Sequence, residues 1–453
     1  MNTIFRNYDI RGEFGTELTP EVAHRVAHAY AAFARPKQVV VGADVRLSSP
    51  ALKEAVVRGL LERGIDVVDI GVVSTDVMYF ATWFHKYDGG IMVTASHMPK
   101  QFNGLKFLRM NDAGMLVPIG RGLGMEELEE LTKKENILEV SAKTGSVTEK
   151  NIWDDFILFT HSFANVSQFR RLKVVMDPGN GTGGIVAEKI FKGLPLDIIK
   201  LHFEPDGNFP NHPANPIIPE NRRDIIEKVK ATGADLGIAW DADCDRVYFI
   251  DEQGRFVDGD FITTLLALHT LEETPGALIV YDVRFSHVLR DWVSKEGGTP
   301  IMSRVGHTYI KHLMRETGAV FAGEVSGHYY FARNAYMENG FAPALIIMET
   351  MSKTGKTLSE LVASLGPYHV SGEINFEVAN AGNIMEAIAA TYEKQGATIT
   401  RLDGVSIDFD DWRCNLRPSA NDPVLRLNME AKTEFLLHKK LSEVTLLIGG
   451  RQV

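Results

Sequence analysis

The sequence has very little cysteine and no long apolar run. Its only cysteines among 453 residues are Cys244 and Cys414. Two cysteines so far apart make neither a disulfide framework nor a thiolate metal site, and they suit a reducing compartment. No apolar run approaches the roughly 18 residues of a spanning helix, and the first residues lack the apolar segment of a secretory signal. The sequence therefore predicts a cytoplasmic protein that does not enter a membrane.

An excess of positive charge is also missing. The formal net charge is -11. Proteins that bind nucleic acid need cationic surfaces that neutralise phosphates, so this balance argues against a nucleic-acid partner. A small phosphorylated ligand needs only a local group of Arg and Lys side chains, and a negative total does not exclude one.

The composition is otherwise that of a globular protein, with 45% apolar and 24% charged residues. A chain of this length suggests about three domains, with four possible. Apolar runs without alternation, each followed by a helical pattern, indicate strands buried on both faces and an α/β architecture with mixed or mostly parallel sheets. These runs lie in residues 37–46, 172–181, 234–243 and 276–284.

Two of these strands are followed by the same short motif. Asp44-Val45-Arg46 and Asp282-Val283-Arg284 each precede a helical stretch, a short strand and a glycine. One supersecondary unit used twice explains the similarity, and chance similarity of two βα units is the alternative.

Polar segments divide the chain into four regions. Residues 138–150 predict a linker before a helix at about 151–165. Residues 251–255 predict a turn, and Gly366-Pro367 ends a helix before a new series of strands and helices, typical of a small α+β domain. The predicted domains are residues 1–140, 150–250, 251–366 and 368–453.

The first motif with chemical potential lies in residues 93–107. A strand leads into a loop that contains Ser96 and His97, and Lys106 follows. Phosphoryl transfer needs an acceptor oxygen held in line and cations that offset developing charge. Lys106 is a candidate for that cation or for proton transfer. A polar turn after a buried strand is the alternative.

The second motif consists of three carboxylates at alternate positions, Asp241, Asp243 and Asp245. In an extended loop this spacing directs all three to the same side. Converging carboxylates repel each other, so they indicate a hard cation such as magnesium or calcium. The neighbouring Arg246 suggests a phosphate near the metal.

Other interpretations of this region are weaker. An EF-hand needs glycine at the sixth loop position, where Arg246 stands, and helical instead of strand-like flanks. A solvated turn is the other alternative.

The GNGTGG sequence at 179–184 matches a dinucleotide-binding pattern, with Asp197 or Glu204 as the acidic partner. Because Pro178 interrupts the strand-to-glycine turn, we interpret it as a glycine-rich turn that opens a helix.

Two further loops carry candidate binding groups. Glu324, Ser326 and His328 alternate on one side of a loop, where a carboxylate and a hydroxyl can bind a pair of sugar hydroxyls. The alternative is a plain turn.

The turn in residues 415–428 combines guanidinium, hydroxyl and amide groups suited to a phosphate. The alternative is a charged surface turn. Its candidate residues are Arg417, Ser419, Asn421 and Arg426.

Taken together and in this order, these motifs resemble the α-D-phosphohexomutase family, and in particular its bacterial phosphomannomutase/phosphoglucomutase members. The resemblance extends from residues 5–12, with Tyr8 and Arg11, to residues 415–428. It implies four domains around a central cleft: three related α/β domains with mixed sheets and a smaller C-terminal α+β domain. In chain order they would carry the phosphoserine loop, the metal site, the sugar-recognition loop and the phosphate-binding loop.

The resemblance also implies roles for individual residues. Ser96 would carry the phosphate, and Mg²⁺ would be held by Ser96, Asp241, Asp243 and Asp245. The catalytic set would be Ser96, His97, Lys106 and Arg11. The substrate-binding set would be Tyr8, Arg246, Arg284, Gly306, His307, Glu324, Ser326, His328, Arg417, Ser419, Asn421 and Arg426.

The implied reaction interconverts mannose 6-phosphate and mannose 1-phosphate, with glucose phosphates also accepted. It passes through a hexose 1,6-bisphosphate, which is also the expected activator. Val325 stands where phosphoglucosamine mutases usually have Gln. A phosphoglucomutase and a non-catalytic sugar-phosphate-binding paralogue are the alternatives. The expected partners are small hexose phosphates, and the expected assembly is a monomer or a homodimer.

The sequence departs from the family pattern at two places. Met98 stands where the family usually has Asn, and residues 419–423 read SANDP where it usually reads SNTEP. Ala420 removes an amide and Asn421 replaces a hydroxyl residue. We expect these changes to act on phosphate affinity or substrate choice.

Overall fold

The protein folds into two compact units. The structure, a computed structural model, describes residues 4–138, 140–419 and 424–453. The first unit comprises the described residues up to Phe256 together with Gly327–Leu358, and the second comprises Val257–Ser326 and Ser359–Val453. Within the described residues, no helix has the length and apolar character needed to cross a bilayer.

The N-terminal part of the first unit is built on a mixed sheet. Its strand order is β1-β5-β4-β2-β3-β7, and β6 pairs with β5. Strand β2 is parallel to β3 and β4, whereas β5 is antiparallel to β4 and β1. The elements are β1 (Ile10–Glu13), α1 (Pro20–Ala34), β2 (Gln38–Ala43), α2 (Ser49–Glu62), β3 (Asp66–Val72), α3 (Thr75–Phe84), β4 (Gly89–Val93), β5 (Phe102–Met110), β6 (Leu116–Pro118), α4 (Met125–Lys133) and β7 (Val147–Glu149).

Local sequence explains these elements. Helix α1 begins after Thr19, whose hydroxyl accepts a hydrogen bond from Val22 N at 3.3 Å, and Pro20 occupies its first turn. Strands β2 and β4 are buried on both faces, as expected for apolar runs inside a covered sheet. The predicted linker at 138–150 is wrong in part, because Val147–Glu149 pair with β3 and extend this sheet.

The second part of the first unit has a five-stranded sheet in the order β12-β11-β10-β8-β9. Strand β8 is parallel to β9 and β10, and β10 and β11 form an antiparallel pair. The glycine-rich turn at 179–184 opens α6, as predicted. The elements are α5 (Trp153–His161), β8 (Leu172–Asp177), α6 (Gly183–Ile190), β9 (Leu196–Lys200), α7 (Arg223–Thr232), β10 (Leu236–Trp240), β11 (Val247–Asp251) and β12 (Phe256–Val257).

The second unit begins with a further α/β segment in which β13 is parallel to both β14 and β15. Its elements are α8 (Gly259–Glu273), β13 (Leu278–Asp282), α9 (His287–Lys295), β14 (Thr299–Ser303), α10 (His307–Thr317) and β15 (Phe321–Gly323). The chain then contributes to the first unit an antiparallel pair and a helix: β16 (Tyr329–Phe331), β17 (Met337–Glu338) and α11 (Ala342–Thr354).

The C-terminal part of the second unit is an antiparallel sheet covered by helices. The strand order is β19-β20-β21-β22-β18-β23, and its core includes Phe376, Trp412 and Leu427. The elements are α12 (Leu358–Ser364), β18 (His369–Glu377), α13 (Ala381–Glu393), β19 (Thr398–Thr400), β20 (Val405–Asp408), β21 (Trp412–Pro418), β22 (Val424–Ala431), α14 (Glu434–Ile448) and β23 (Arg451–Gln452). The four predicted buried runs are β2, β8, β10 and β13, so the α/β prediction is confirmed.

Candidate active site

Ser96 lies in a constrained loop directly after β4. Its side chain is fully buried, and its backbone has a φ of 51°, in the left-handed region. A non-glycine residue in this region costs on the order of 1–3 kcal/mol and persists only where its surroundings hold it. Part of that support is local, because Ser96 N donates a hydrogen bond to Thr94 Oγ1 at 2.9 Å.

Arg46 supplies most of the remaining support for this loop. Its guanidinium donates to the carbonyl oxygens of Ser96 at 2.6 Å and Met98 at 2.7 Å. It also donates to the carbonyls of Pro99 and Phe102, at 2.9 and 3.0 Å. The side chain is buried and therefore has little freedom to leave these partners. Arg46 was not among the predicted site residues, although the Asp-Val-Arg repeat had singled it out.

The two Asp-Val-Arg motifs make the same local contacts. Arg46 Nε donates to Asp44 at 3.1 Å, and Arg284 Nε donates to Asp282 at 2.9 Å. In both motifs the aspartate also accepts a hydrogen bond from the backbone N–H of its arginine. The repeat is therefore a structural one, in which an aspartate at a strand end fixes the arginine two residues later.

Two groups contact the hydroxyl of Ser96. Its Oγ donates to Asp241 Oδ2 at 2.9 Å and lies 3.1 Å from His97 Nδ1. Burial lowers the pKa of His97 well below its usual value, and the nearby cations Arg246 and Arg11 lower it further. His97 is therefore a neutral imidazole that can accept a proton beside the serine.

The three aspartates occupy the turn between β10 and β11. All three side chains are buried, and one oxygen of each lies within 4.8 Å of one from each of the others. Burial raises the pKa of Asp241 well above its usual value, and the charges of Asp245 and Asp243 raise it further. The flanking strands are antiparallel, which is not the helical surrounding of an EF-hand.

Lys106 reaches this carboxylate group from β5. Its Nζ lies 2.7 Å from Asp243 Oδ2 and also contacts Asp245. Burial alone would lower the pKa of Lys106, but the two carboxylates hold it well above its usual value, so the ammonium stays charged. Thr75, which the sequence did not indicate, donates to Asp243 Oδ2 at 2.6 Å.

The charges around Asp241, Asp243 and Asp245 favour the binding of a cation. Among the described residues, the ammonium of Lys106 lies at hydrogen-bonding distance from two of these three buried carboxylates. Among the described residues, nothing donates a hydrogen bond to the buried Asp243 Oδ1. An oxygen in this state carries a desolvation cost that a bound cation would remove. The donor set of carboxylates next to a serine hydroxyl fits a hard divalent metal.

Arg246 and His328 border the carboxylates. Arg246 Nε lies 3.8 Å from Asp241 Oδ2, 3.9 Å from Asp245 Oδ1 and 3.2 Å from His328 Nε2. His328 Nε2 lies 3.5 Å from Asp245 Oδ1. The structure thus brings both residues to the predicted metal loop.

The N-terminal candidates lie on and before β1. Arg11 donates to Asp9 at 2.8 Å, on a strand that pairs with β5 opposite Gly104. Its charge acts on both His97 and Lys106. Tyr8, three residues before Arg11, is half-buried.

A cavity of about 280 Å³ opens beside the serine. A space of this size approaches the lower end of the roughly 300–1,000 Å³ typical of small-ligand pockets. Its lining comprises Arg46, Ser96, His97, Met98, Pro99, Lys100, Gln101, Asn208, Phe209, Pro213, Ala214 and Ala242.

In the second unit, Glu324 pairs with Arg284. Arg284 Nη2 lies 3.3 Å from Glu324 Oε2, and Ser326 Oγ lies 3.3 Å from the same oxygen. Arg284 is fixed in turn by Asp282, at 2.7 Å. Glu324 and Ser326 thus form one hydrogen-bonded group. His328 contacts Arg246 and Asp245.

The turn before α10 holds two further candidates. Gly306 has a φ of 123°, a conformation open to glycine and strained for other residues. His307 begins α10, and its Nδ1 lies 3.4 Å from Lys311 Nζ. A cationic side chain missed in the sequence therefore accompanies the predicted histidine.

Residues 415–418 of the predicted phosphate turn belong to β21, and residues 424–428 belong to β22. Arg426 donates to Ser419 Oγ at 3.0 Å and to Glu373 Oε1 at 3.1 Å, and Arg417 Nη2 lies 3.8 Å from Glu373 Oε2. Burial lowers the pKa of Arg417, and the charge of Arg284 lowers it further. Among the described residues, none accepts a hydrogen bond from the buried Arg417 Nε. Asn421 lies outside the described residues.

Comparison with known proteins places this fold and these motifs among phosphohexose-converting isomerases. Residues 2–121, 155–254 and 258–368 match the families described as phosphoglucomutase/phosphomannomutase alpha/beta/alpha domains I, II and III. Residues 373–445 match the C-terminal domain of the same proteins. The chain therefore belongs to the phosphoglucomutase/phosphomannomutase family, and the expected family and fold class are confirmed.

Relatives of similar length support the assignment. The phosphomannomutase of Vibrio cholerae is 41% identical over 459 residues, which cover 98% of both chains. The phosphomannomutase of Escherichia coli K12 is 40% identical over 453 residues, again 98% of both. A crystal structure of a phosphoglucomutase/phosphomannomutase family protein from Burkholderia thailandensis superimposes with a TM-score of 0.86 at 32% identity, covering 99% of this chain and 98% of that one.

Proposed function

We propose that this enzyme interconverts mannose 6-phosphate and mannose 1-phosphate, with glucose phosphates as further substrates. The observation that carries the proposal is the hydrogen bond from Ser96 Oγ to Asp241, which puts a buried hydroxyl against a carboxylate triad and a charged lysine. The names of the relatives that cover nearly the whole chain support the choice of mannose.

The proposed cycle moves phosphoryl groups between Ser96 and the sugar. In the first half, the bond from phosphorus to Ser96 Oγ breaks and a bond to the free sugar hydroxyl forms, giving a hexose 1,6-bisphosphate. The hydroxyl proton passes to the serine oxygen, and the neutral His97, 3.1 Å from that oxygen, is positioned to carry it. In the second half, Ser96 accepts the other phosphate of the bisphosphate. A free hexose 1,6-bisphosphate then activates enzyme that has lost its serine phosphate.

Mg²⁺ is the metal that we propose for the carboxylate loop. Asp241, Asp243 and Asp245, with the phosphate-bearing oxygen of Ser96, would hold it. When bound, it supplies positive charge that offsets the carboxylates and the phosphate oxygens. Lys106 and Arg246 add fixed cations at the same place, so the transferring group meets a surrounding that favours its negative charge.

A coupled mutase assay tests the substrate assignment. Mannose, glucose and glucosamine 1-phosphates are compared under one set of conditions, each with its 1,6-bisphosphate as activator. We expect kcat/KM to be highest for mannose, lower for glucose and lowest for glucosamine. A preference for glucosamine would overturn the assignment, a preference for glucose would favour a phosphoglucomutase, and no turnover with any sugar would favour a binding protein.

Glu324→Gln should lower kcat/KM about ten- to a hundred-fold for every sugar that the enzyme accepts. An ionised carboxylate only accepts hydrogen bonds, and a charge-assisted bond from a sugar hydroxyl is worth about 1.5–3 kcal/mol. Because Glu324 also pairs with Arg284, the thermal melting curve of the variant should be recorded beside its kinetics.

Glu316→Gln is the matched control for this variant. Its carboxylate pairs with His312 and both side chains are exposed, so kinetics should stay unchanged. An unchanged kcat/KM in Glu324→Gln would place this residue outside the substrate site.

Arg417→Ala should lower kcat/KM about ten- to a hundred-fold in both directions, through kcat as well as KM. A buried guanidinium that binds the non-reacting phosphate contributes a charge-assisted bond of about 1.5–3 kcal/mol. Binding of this distant phosphate positions the reacting end of the sugar, so its loss should lower kcat as well as raise KM. Steady-state kinetics from the 1-phosphate and from the 6-phosphate provide the measurement.

The serine phosphate should survive this substitution, because the serine and metal loops are unchanged. Intact mass of the variant checks this point. Arg401→Ala is the control, since Arg401 forms an exposed pair with Glu386 in the same part of the chain. If Arg417→Ala behaves like this control in both directions, the 415–428 turn does not bind phosphate.

A further inference from the structure

A second group of potential metal ligands, which shares no residue with the metal loop, lies in the first unit. It consists of Asp177 at the end of β8, His202 just after β9, and His212 in the loop that follows. One ligand atom from each lies within 4.8 Å of the others. Three separate segments of the chain thus converge on one point.

The distances in this group suit a tetrahedral ion. Asp177 Oδ2 lies 3.0 Å from His212 Nε2 and 3.3 Å from His202 Nδ1. Zinc bonds of about 2.0–2.1 Å in a tetrahedral arrangement put neighbouring ligand atoms about 3.3 Å apart. The observed separations are close to that value, so an ion could enter between these atoms with small side-chain movements.

Asp177 and His212 each have an outer hydrogen-bond partner of the kind that metal sites use, and a carboxylate lies near His202. His212 Nδ1 lies 2.9 Å from the carbonyl oxygen of Pro213, and Gly179 N donates to Asp177 Oδ1 at 2.9 Å. His202 Nε2 lies 3.6 Å from Asp224 Oδ2. Metal-bound histidines nearly always donate the other ring N–H to a carbonyl or a carboxylate, which fixes the ring and its tautomer.

The hydrogen-bonding inventory points the same way. Both ring nitrogens of His212 face acceptors, a carbonyl oxygen and a carboxylate, so without an ion this half-buried ring must carry two protons. With an ion bound at Nε2, the ring of His212 can be neutral. Its single proton, on Nδ1, then donates to the carbonyl oxygen of Pro213, and the ion lies between Nε2 and Asp177.

We propose that Asp177, His202 and His212 form a binding site for one divalent transition-metal ion of the Zn²⁺ type. Two imidazole nitrogens and one carboxylate suit such ions, whereas Mg²⁺ prefers the all-oxygen set of the aspartate loop. The ion would fasten the loop whose residues Pro213 and Ala214 line the cavity beside Ser96.

A third cluster of similar composition supplies a control. His24 and His28 of α1 face Glu62, with His28 Nε2 at 3.0 Å from its carboxylate. Within the described part of the chain, however, the buried His28 Nδ1 has no hydrogen-bond partner. His28 therefore lacks the outer partner that a bound histidine needs.

The test is a cobalt titration of the whole enzyme in excess Mg²⁺, which occupies the aspartate loop. Co²⁺ bound to nitrogen ligands in a four-coordinate site absorbs visible light, and Zn²⁺ should displace it. We expect about one equivalent to bind, and the melting temperature to rise on adding Zn²⁺. His202→Gln and His212→Gln should each lose the absorption band and the rise in melting temperature, and His24→Gln should keep both.

Absence of the band in the unaltered enzyme would overturn the proposal and leave the group as a protonated Asp-His pair. A band that survives in both His202→Gln and His212→Gln but disappears in His24→Gln would move the site to α1. Metal content by mass spectrometry and circular dichroism of each variant show whether a lost band reflects a lost ligand or a lost fold. The readouts are independent of turnover, so they do not depend on the proposed reaction.

Discussion

Replacing Ser96 with alanine should reduce kcat by at least about 100-fold, the smallest loss expected when a covalent nucleophile is removed. The hydroxyl is the only group of this residue that can carry phosphate, and it lies 2.9 Å from Asp241 in a fully buried position. The loop itself should persist in the variant, because Arg46 and Thr94 hold it through backbone atoms of Ser96. The loss should therefore appear in kcat without a collapse of the fold.

Intact mass gives the second readout for this variant. The unaltered enzyme should carry one added phosphate, and Ser96→Ala should carry none after incubation with hexose 1,6-bisphosphate. Ser167→Ala is a suitable control, since Ser167 is exposed and its hydroxyl bonds to the nearby Asn165. Near-normal turnover in Ser96→Ala would show that another group carries the phosphate.

Chelation should abolish turnover, and added Mg²⁺ should restore it. The aspartate loop concentrates three buried carboxylates, and Asp243 Oδ1 accepts no hydrogen bond from any described residue. Phosphoryl transfer into this group without a cation would add negative charge to an anionic site. We therefore expect at least about a 100-fold loss of kcat in EDTA, similar to the loss of the nucleophile itself.

The two metal proposals can be separated in the same experiment. His212→Gln should keep the full Mg²⁺ requirement, because its ring belongs to the other cluster. Asp243→Asn should lose activity at every Mg²⁺ concentration that saturates the unaltered enzyme. Full activity of the unaltered enzyme in EDTA, after metal analysis has shown that no ion is retained, would mean that the aspartates serve another purpose.

The sequence identified the groups whose arrangement depends on residues near them in the chain. Alternation of Asp241, Asp243 and Asp245 between two apolar runs predicted a convergent turn, and the structure puts all three on the turn between β10 and β11. The position of Ser96 in a loop directly after a strand was inferred from the sequence in the same way. Such inferences succeed because strand periodicity and turn direction follow from the backbone over a few residues. The prediction of a linker at 138–150 was wrong in part, because Val147–Glu149 pair with β3, a strand that is distant in the sequence.

The sequence by itself therefore determined the family and the α/β class, and it supplied the candidate site residues. The tertiary structure alone decided which of them touch. Lys106 meets Asp243 across 137 positions, and Thr75 meets the same oxygen across 168. Arg46 donates hydrogen bonds to carbonyl oxygens. Because every residue has such an oxygen, no sequence pattern indicates these contacts. Asp177, His202 and His212 converge because β8 and β9 are adjacent and parallel, and that adjacency depends on long-range packing instead of local propensity.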